Sequence, residues 1–300
     1  MPDIAVSVIA QLKSKAKETG KPLQLYLQLF CQEEFLRRLS LSKYADKLIL
    51  KGGMLIYTLT NFESRATVDI DFLLRQLPGD METVRQFVDE IIATDTGNTY
   101  IQLSSGSFET ISPQRKYQGI SFQLIGRIKN TKTPFNVDLG IGDVIVPKPV
   151  KRAIPVQLEG FTAPEVMTYS LESTIAEKFD ALLRRLELTS RMKDIYDIYY
   201  LSNQFHFEGP SLQEAIRKSL TNRGTPFGSD SLEKVIALGR DKTIQVRWRQ
   251  FLNRSGLSEI SLNQALSGIN AFLSPVWEAL IRNEDFQRDW NVEMSEWKTK

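Results

Sequence analysis

Residues 48–74 read LILKGGMLIYTLTNFESRATVDIDFLL, and the fold turns on this stretch. The apolar run Leu48-Ile49-Leu50 ends at Gly52-Gly53. Met54 to Leu59 has helical character, so the glycines form a strand-to-helix turn. From Val68 to Leu74 the residues alternate as in a strand. Ile70, Phe72 and Leu74 take one face; Asp69, Asp71 and Leu73 take the other. Side chains two apart in a strand stand on one face, about 6.6 Å apart. Two carboxylates there suit Mg2+ or Mn2+, which take oxygen ligands. With substrate phosphates they support a two-metal displacement. An Asp-x-Asp by itself reads more simply as a solvated strand face, but three neighbours argue otherwise.

Lys51-Gly52-Gly53 leads directly into a helix. Glycine lets backbone approach phosphate closely, and a helix N-terminus offers N–H groups and a positive dipole end. Alone, the pair is equally a tight turn. Asp138 lies in Phe135-Asn136-Val137-Asp138-Leu139-Gly140, a strand-like run. A carboxylate with apolar flanks is expensive to bury without a partner. It is a third metal ligand if its strand lies beside that of Asp69, and an edge residue facing water otherwise. Arg65 can pair with phosphate or carboxylate. Thr67 is expected on the strand face of Asp69 and Asp71. The plainer reading of both is a polar turn.

Outward from this centre, residues 3–18 and 22–40 read as helices separated by Gly20-Lys21-Pro22. Residues 80–93 form an amphipathic helix. Tyr117 to Ile128 and Pro134 to Ile145 are β-rich, with Lys129 to Thr133 as the hairpin connection. From about residue 165 helical periodicity dominates and strand signals nearly vanish, so a helical bundle is expected there.

Composition sets limits. Of 300 residues, 42% are hydrophobic and 25% charged, which is globular and not disordered. A net charge of +2 supplies no general basic field, so nucleic acid would need a local patch. The single Cys31, in an apolar helical pattern, reads as core and rules out internal disulfides. The single His206 argues against a histidine zinc site and against Ser-His-Asp hydrolysis. No apolar run reaches the roughly 20 residues of a membrane helix, so a soluble cytoplasmic protein is expected.

The order strand, Gly-Gly, helix, strand with Asp-x-Asp, later strand with Asp resembles the polymerase-β-like nucleotidyltransferase fold. Lys51-Gly52-Gly53-Met54 followed by Arg65-x-Thr67-x-Asp69-Ile70-Asp71-Phe72 is similar to the AbiEii/AbiGii toxin family of nucleotidyltransferases. Val137 to Asp143, Ala176-Glu177-Lys178-Phe179-Asp180-Ala181-Leu182 and Arg191-x-Lys193-Asp194-Ile195-Tyr196-Asp197 also resemble that family's motifs, so the likeness spans about residues 25–201. It implies a mixed α/β (α+β) chain, with a nucleotidyltransferase domain over 1–163 and a helical domain over 164–300. It further implies a nucleoside triphosphate substrate, Mg2+ or Mn2+ on Asp69, Asp71 and Asp138, and a site in the cleft between the domains. The acceptor it implies is RNA, the 3′ end of tRNA in some relatives. The biological setting would be a type IV toxin–antitoxin or abortive-infection system in phage defence, with a cognate antitoxin, often a winged-helix DNA-binding protein.

Spacing alone makes Lys178 a helix-surface lysine beside Glu177 and Asp180; the resemblance makes it a nucleotide-binding residue. Asp194 and Asp197 share a helix face with Arg191, as in an ordinary intrahelical salt-bridge network. The functional alternative is that one of them, Asp194 by preference, orients Lys178, the base or the attacking hydroxyl. Lys193 is a further candidate for nucleotide charge. The basic stretch 240–254 interleaves Trp248 and Phe251 with arginines; it reads as an amphipathic helix with core aromatics ahead of an RNA-stacking surface. Two other functions stay open: a nucleotide- or partner-binding protein with little transfer activity, and a housekeeping transferase acting on a small molecule.

Overall fold

In a computed structural model, residues 3–111, 119–185 and 191–299 are described. The chain is mixed α/β and folds as two compact units, Met1–Gly142 with Val150–Thr168, and Asp143–Pro149 with Tyr169–Lys300.

The first unit is built on a seven-stranded mixed sheet. Its strands are β1 (Leu48–Lys51), β2 (Ile70–Leu74), β3 (Ile101–Ile111), β4 (Gly119–Ile128), β5 (Thr131–Ile141), β6 (Val150–Ala153) and β7 (Glu165–Thr168), in the order β3-β4-β5-β2-β1-β7-β6. The helices are α1 (Ile4–Thr19), α2 (Leu23–Leu41), α3 (Gly52–Leu59) and α4 (Met81–Ile92). Asp3 and Asp80 cap α1 and α4 by accepting from the backbone N–H of Val6 and Thr83. Strand β2 is shorter than expected, starting at Ile70. The carbonyl of Val68 accepts from the Gln32 amide on α2, 2.5 Å away, so the preceding residues are held by a helix and not by a strand ladder. Thr67 therefore does not share a strand face with Asp71. The β4–β5 connection is also tighter than the predicted five residues. Ile128 pairs with Thr131, leaving only Lys129-Asn130 in the turn, with Lys129 at φ 51°. Strand β5 stops at Ile141 because Gly142 takes φ 81°. The expected strand start at Tyr117 lies outside the described residues.

Alternation divides the faces of β5. Thr133, Phe135, Val137 and Leu139 are buried, while Lys132, Pro134 and Asn136 are exposed and Asp138 is half-buried. The buried face packs on α2, where Cys31 sits against Gly126. Burial pushes the Cys31 thiol up to about 12, as suits a core cysteine. Helix α2 also carries a buried ion cluster. Arg37 pairs with Glu33 and, at 2.7 Å, with Glu34; Arg38 pairs with Glu34 at 2.9 Å. Glu33 also accepts the Gln157 N–H at 2.6 Å, and Glu34 accepts from Thr96 and Asn98.

The second unit contains α5 (Leu171–Arg184), α6 (Met192–Ser202), α7 (Gly209–Arg223), α8 (Ser231–Ala237), α9 (Lys242–Ser255) and α10 (Leu262–Ile281). It also has a small sheet absent from the sequence expectation, formed by β8 (Phe207–Glu208), β9 (Arg288–Asn291) and β10 (Glu296–Thr299). These strands have only two to four residues, too few to establish a period of two. Trp290 and Trp297 anchor them, donating to the carbonyls of Ser202 and Phe272. In α9, Trp248 is buried and its indole N–H donates to the Ile260 carbonyl at 2.7 Å, so it is core, while Arg240, Lys242, Arg247, Arg249 and Arg254 are exposed. Among the described residues no helix is long and apolar enough to cross a membrane.

Replacing Arg37 with Ala leaves Glu33 and Glu34 buried without their main counter-charge. The expected cost is about 3–5 kcal/mol, read as a lowered urea midpoint with an unchanged slope; a midpoint within error of wild type would mean water or relaxation replaces the guanidinium.

Candidate active site

At the end of β1 the backbone turns sharply. Lys51 is extended, and Gly52 takes φ 69°, a conformation that costs a side-chain-bearing residue energy. Space excludes a side chain too. A Cβ on Gly52 would lie 2.7 Å from the Asp71 carboxyl carbon, and one on Gly53 would lie 3.1 Å from Arg65 Nη2 and from Thr67 Oγ1. The glycines thus let the first turn of α3 sit directly against Asp71, Arg65 and Thr67. No side chain caps that helix N-terminus from the N-cap position.

Strand register assembles the rest. Lys51 on β1 pairs with Asp71 on β2, Asp71 pairs in parallel with Asp138 on β5, and Asp138 pairs with Ser121 on β4. Four strands therefore place Lys51, Asp71, Asp138 and Ser121 in one row on one face. Ser121 donates to Asp138 Oδ1 at 2.6 Å. Asp71 and Asp138 are half-buried, and Asp69 is exposed just ahead of β2. Among the described residues no three His, Cys, Asp or Glu side chains form a ready-made metal-binding group. Sequence reading missed Ser121. Its signal lay in the hairpin: with a two-residue turn after Ile128, positions 121 and 138 must face each other.

In the second unit, Lys178 of α5 reaches α6. Its Nζ lies 2.6 Å from Asp197 Oδ2 and 3.3 Å from Asp194 Oδ1, with all three side chains buried. Arg191 lies 3.4 Å from the other oxygen of Asp194. Lys178 is thus not a helix-surface lysine, and Asp197 holds it more closely than the preferred Asp194. Lys193 is exposed and makes no part of this cluster.

The neighbouring residue serves a second cluster. Glu177 accepts from Arg223 at 2.8 Å and from the Tyr169 hydroxyl at 3.0 Å. Arg223, on α7, also contacts Asp143 and Asp180 at 2.8 and 3.0 Å. Burial works against the Arg223 charge, but Glu177, Asp143 and Asp180 outweigh it and hold its proton above the ordinary range. Burial, with Glu177 and Asp143 nearby, raises the Tyr169 phenol well above its usual value. Nothing in the sequence marked Arg223, an ordinary basic residue in the last turn of a helix.

A Gly-Gly turn entering a helix, with aspartates paired in register on adjacent strands beside it, realises the pattern by which the sequence resembles nucleotidyltransferases. The chain belongs to the family described as nucleotidyl transferase AbiEii toxin of type IV toxin–antitoxin systems, whose model matches residues 34–282. Among solved structures it is similar to MenT4, a nucleotidyltransferase toxin from Mycobacterium tuberculosis H37Rv, at 17% identity and a TM-score of 0.54, with 93% of this chain and 99% of that one covered. It is also similar to JHP933 from Helicobacter pylori, at 12% identity and a TM-score of 0.49, with coverages of 87% and 94%. No functionally curated sequence matches.

Two variants probe this geometry. Gly52→Ala introduces both a steric conflict with Asp71 and a disfavoured φ; nucleotidyl transfer should fall at least 100-fold with the circular dichroism spectrum preserved, and activity within threefold of wild type would discount the close approach. Lys178→Met strands two buried carboxylates; unfolding experiments should show a loss of about 3 kcal/mol or more, and recovery of most of it in Lys178→Met combined with Asp194→Asn and Asp197→Asn would assign the cost to those charges.

Proposed function

We propose that the chain transfers a nucleoside monophosphate from a nucleoside triphosphate to an acceptor hydroxyl in a metal-dependent reaction, and that this transfer arrests growth. The carrying observation is the row Lys51–Asp71–Asp138–Ser121 against the Gly52-Gly53 turn. Mg2+ commonly binds through one or two carboxylates and completes its shell with water and substrate phosphate. The adjacent Asp71 and Asp138, with Asp69 just upstream, fit that requirement without a preformed cage. A bound Mg2+ or Mn2+ would offset the phosphate charge and favour ionisation of the acceptor hydroxyl.

The remaining roles fall to the chain's own residues. The backbone N–H groups at Gly52, Gly53 and the first turn of α3 take phosphate oxygens. Arg65 and Lys51 add positive charge beside them. Ser121 fixes the rotamer of Asp138 by donating to it. Within the second unit Asp194 and Asp197 clamp Lys178, the residue that the family resemblance assigns to the nucleotide, in one position.

On the resemblance, the acceptor is an RNA, with the tRNA 3′ end as the specific case, and the setting is the cytoplasm; the family's toxin–antitoxin description supports a cognate antitoxin, for which the resemblance suggests a winged-helix DNA-binding protein. A role in abortive infection and phage defence follows from the same resemblance. The test uses each of the four α-labelled triphosphates with total RNA and Mg2+. Label should move to RNA with one nucleotide preferred, and Asp71→Asn should reduce transfer at least 1,000-fold and relieve toxicity on overexpression. Nucleotide binding with no transfer from any of the four would sink the enzymatic reading; undiminished toxicity of Asp71→Asn would separate growth arrest from this site.

A further inference from the structure

The face of β4 and β5 that carries Ser121 and Asp138 does not end at the aspartate. Side chains two apart share a face, so Asp138 continues along β5 through Asn136 and Pro134 to Lys132. The register places Gln123 beside Asn136, Ile125 beside Pro134 and Arg127 beside Lys132. Asn136, Pro134, Lys132 and Arg127 are exposed, and Gln123 and Ile125 are half-buried. The result is an open lane, about 20 Å long at roughly 3.4 Å per residue, with the candidate catalytic carboxylate at one end and two cations at the other.

The basic end is unusual for a sheet. Arg127 and Lys132 stand directly opposite each other, and like charges so placed repel. Among the described residues neither forms an ion pair. The third residue of their row is neutral, Gln102 on β3. The pair borders a cavity of about 790 Å³ whose other walls include Arg38, Thr96, Asn98 and Thr99, with Asp95 the one carboxylate in the lining. The Asp95 carboxylate accepts from the Gly97 N–H at 2.8 Å, turned to its own loop. Uncompensated cations among hydroxyl and amide groups complement phosphate. Between the two ends, Ile125 and Pro134 offer an apolar step on which a base can rest.

We infer that this lane is the acceptor track. An RNA strand lies along β4 and β5, its terminal hydroxyl at Asp71 and Asp138 and upstream phosphates on Arg127 and Lys132. The inference rests on the transfer reaction proposed above and adds the residues that hold the acceptor. Arg127 and Lys132 bind substrate at a distance from the reacting atoms, so their loss should appear in acceptor KM and leave the chemical step intact.

The experiment compares the full-length wild type with Arg127→Glu, Lys132→Glu and the double variant, using 5′-fluorescein-labelled tRNA in anisotropy titrations across a salt series. Each single change should weaken binding about tenfold. The double variant should lower the slope of log affinity against log salt by about 1.4, two phosphates at roughly 0.7 each. Triphosphate affinity measured with Mn2+ should stay within twofold, and the single variants should melt no lower than wild type because a repulsive pair becomes an attractive one. In transfer assays acceptor KM should rise at least tenfold with kcat at saturating RNA retained. RNA affinity within twofold of wild type in the double variant overturns the track, as does a fall in kcat with KM unchanged, or label appearing on protein in place of RNA. Failure of the transfer reading is distinct: no nucleotide reaches RNA from the wild type, yet RNA binding still depends on this pair.

Discussion

The parallel pairing of β2 with β5 is the constraint on which the site depends. The β1–β2 ladder sets Lys51 against Asp71, and the β4–β5 hairpin sets Ser121 against Asp138. Only the β2–β5 register joins these two halves. What maintains it lies on the opposite face. Ile70, Phe72, Val137 and Leu139 are all fully buried. A one-residue slip of a strand reverses its faces. A slip of either strand would expose its own two of these side chains, at a cost on the order of 3–6 kcal/mol at 1.5–3 each, a large share of the whole stability of a typical domain. The polar row is thus held by an apolar one. The two carboxylates repel, and no attraction between them is needed to bring them together.

Much of this construction was legible in the sequence, and the limits have physical causes. Alternation through Ile70-Asp71-Phe72 and through Val137-Asp138-Leu139 announced two half-buried strands with a carboxylate each. Helices α1 to α4 were readable because their apolar positions recur at helical spacing and breakers flank them. The hairpin turn was misjudged because Thr131, Lys132 and Thr133 resemble loop composition, although threonine is well suited to strands. That three-residue difference hid Ser121, since register follows turn length. Thr67 was assigned to a strand because periodicity cannot sense that Gln32 of α2 has taken the Val68 carbonyl. The small sheet in the second unit depends on tryptophans meeting distant carbonyls, which a local pattern does not encode.

Helix α5 illustrates a different limit. Local composition places Glu177, Lys178 and Asp180 on a solvated face, but all three are drawn into charged clusters. Consecutive residues on a helix diverge by about 100°, so Glu177 turns to Arg223 while Lys178 turns to α6. Fixing either cluster fixes the rotation of the helix and so orients the other. A buried lysine with two aspartates is expensive in desolvation and is poor evidence for stability. Its effect is to restrict Lys178 to one position.

The charges along β5 also bear on how a nearly neutral protein would hold a polyanion. Asp138 and Lys132 are about 20 Å apart, roughly two to three Debye lengths at physiological ionic strength. Over that distance the aspartates barely weaken the field of Arg127 and Lys132, and the two cations do little to neutralise the phosphate-repelling carboxylates. The same chain can therefore present a cation-seeking end and a phosphate-seeking end on one face while its net charge stays at +2. A strand of RNA has the matching asymmetry, since its terminal hydroxyl is neutral and its charge begins upstream. With that neutral end beside Asp71 and Asp138, the phosphates brought near the carboxylates would be those of the triphosphate, whose charge a bound Mg2+ or Mn2+ would offset.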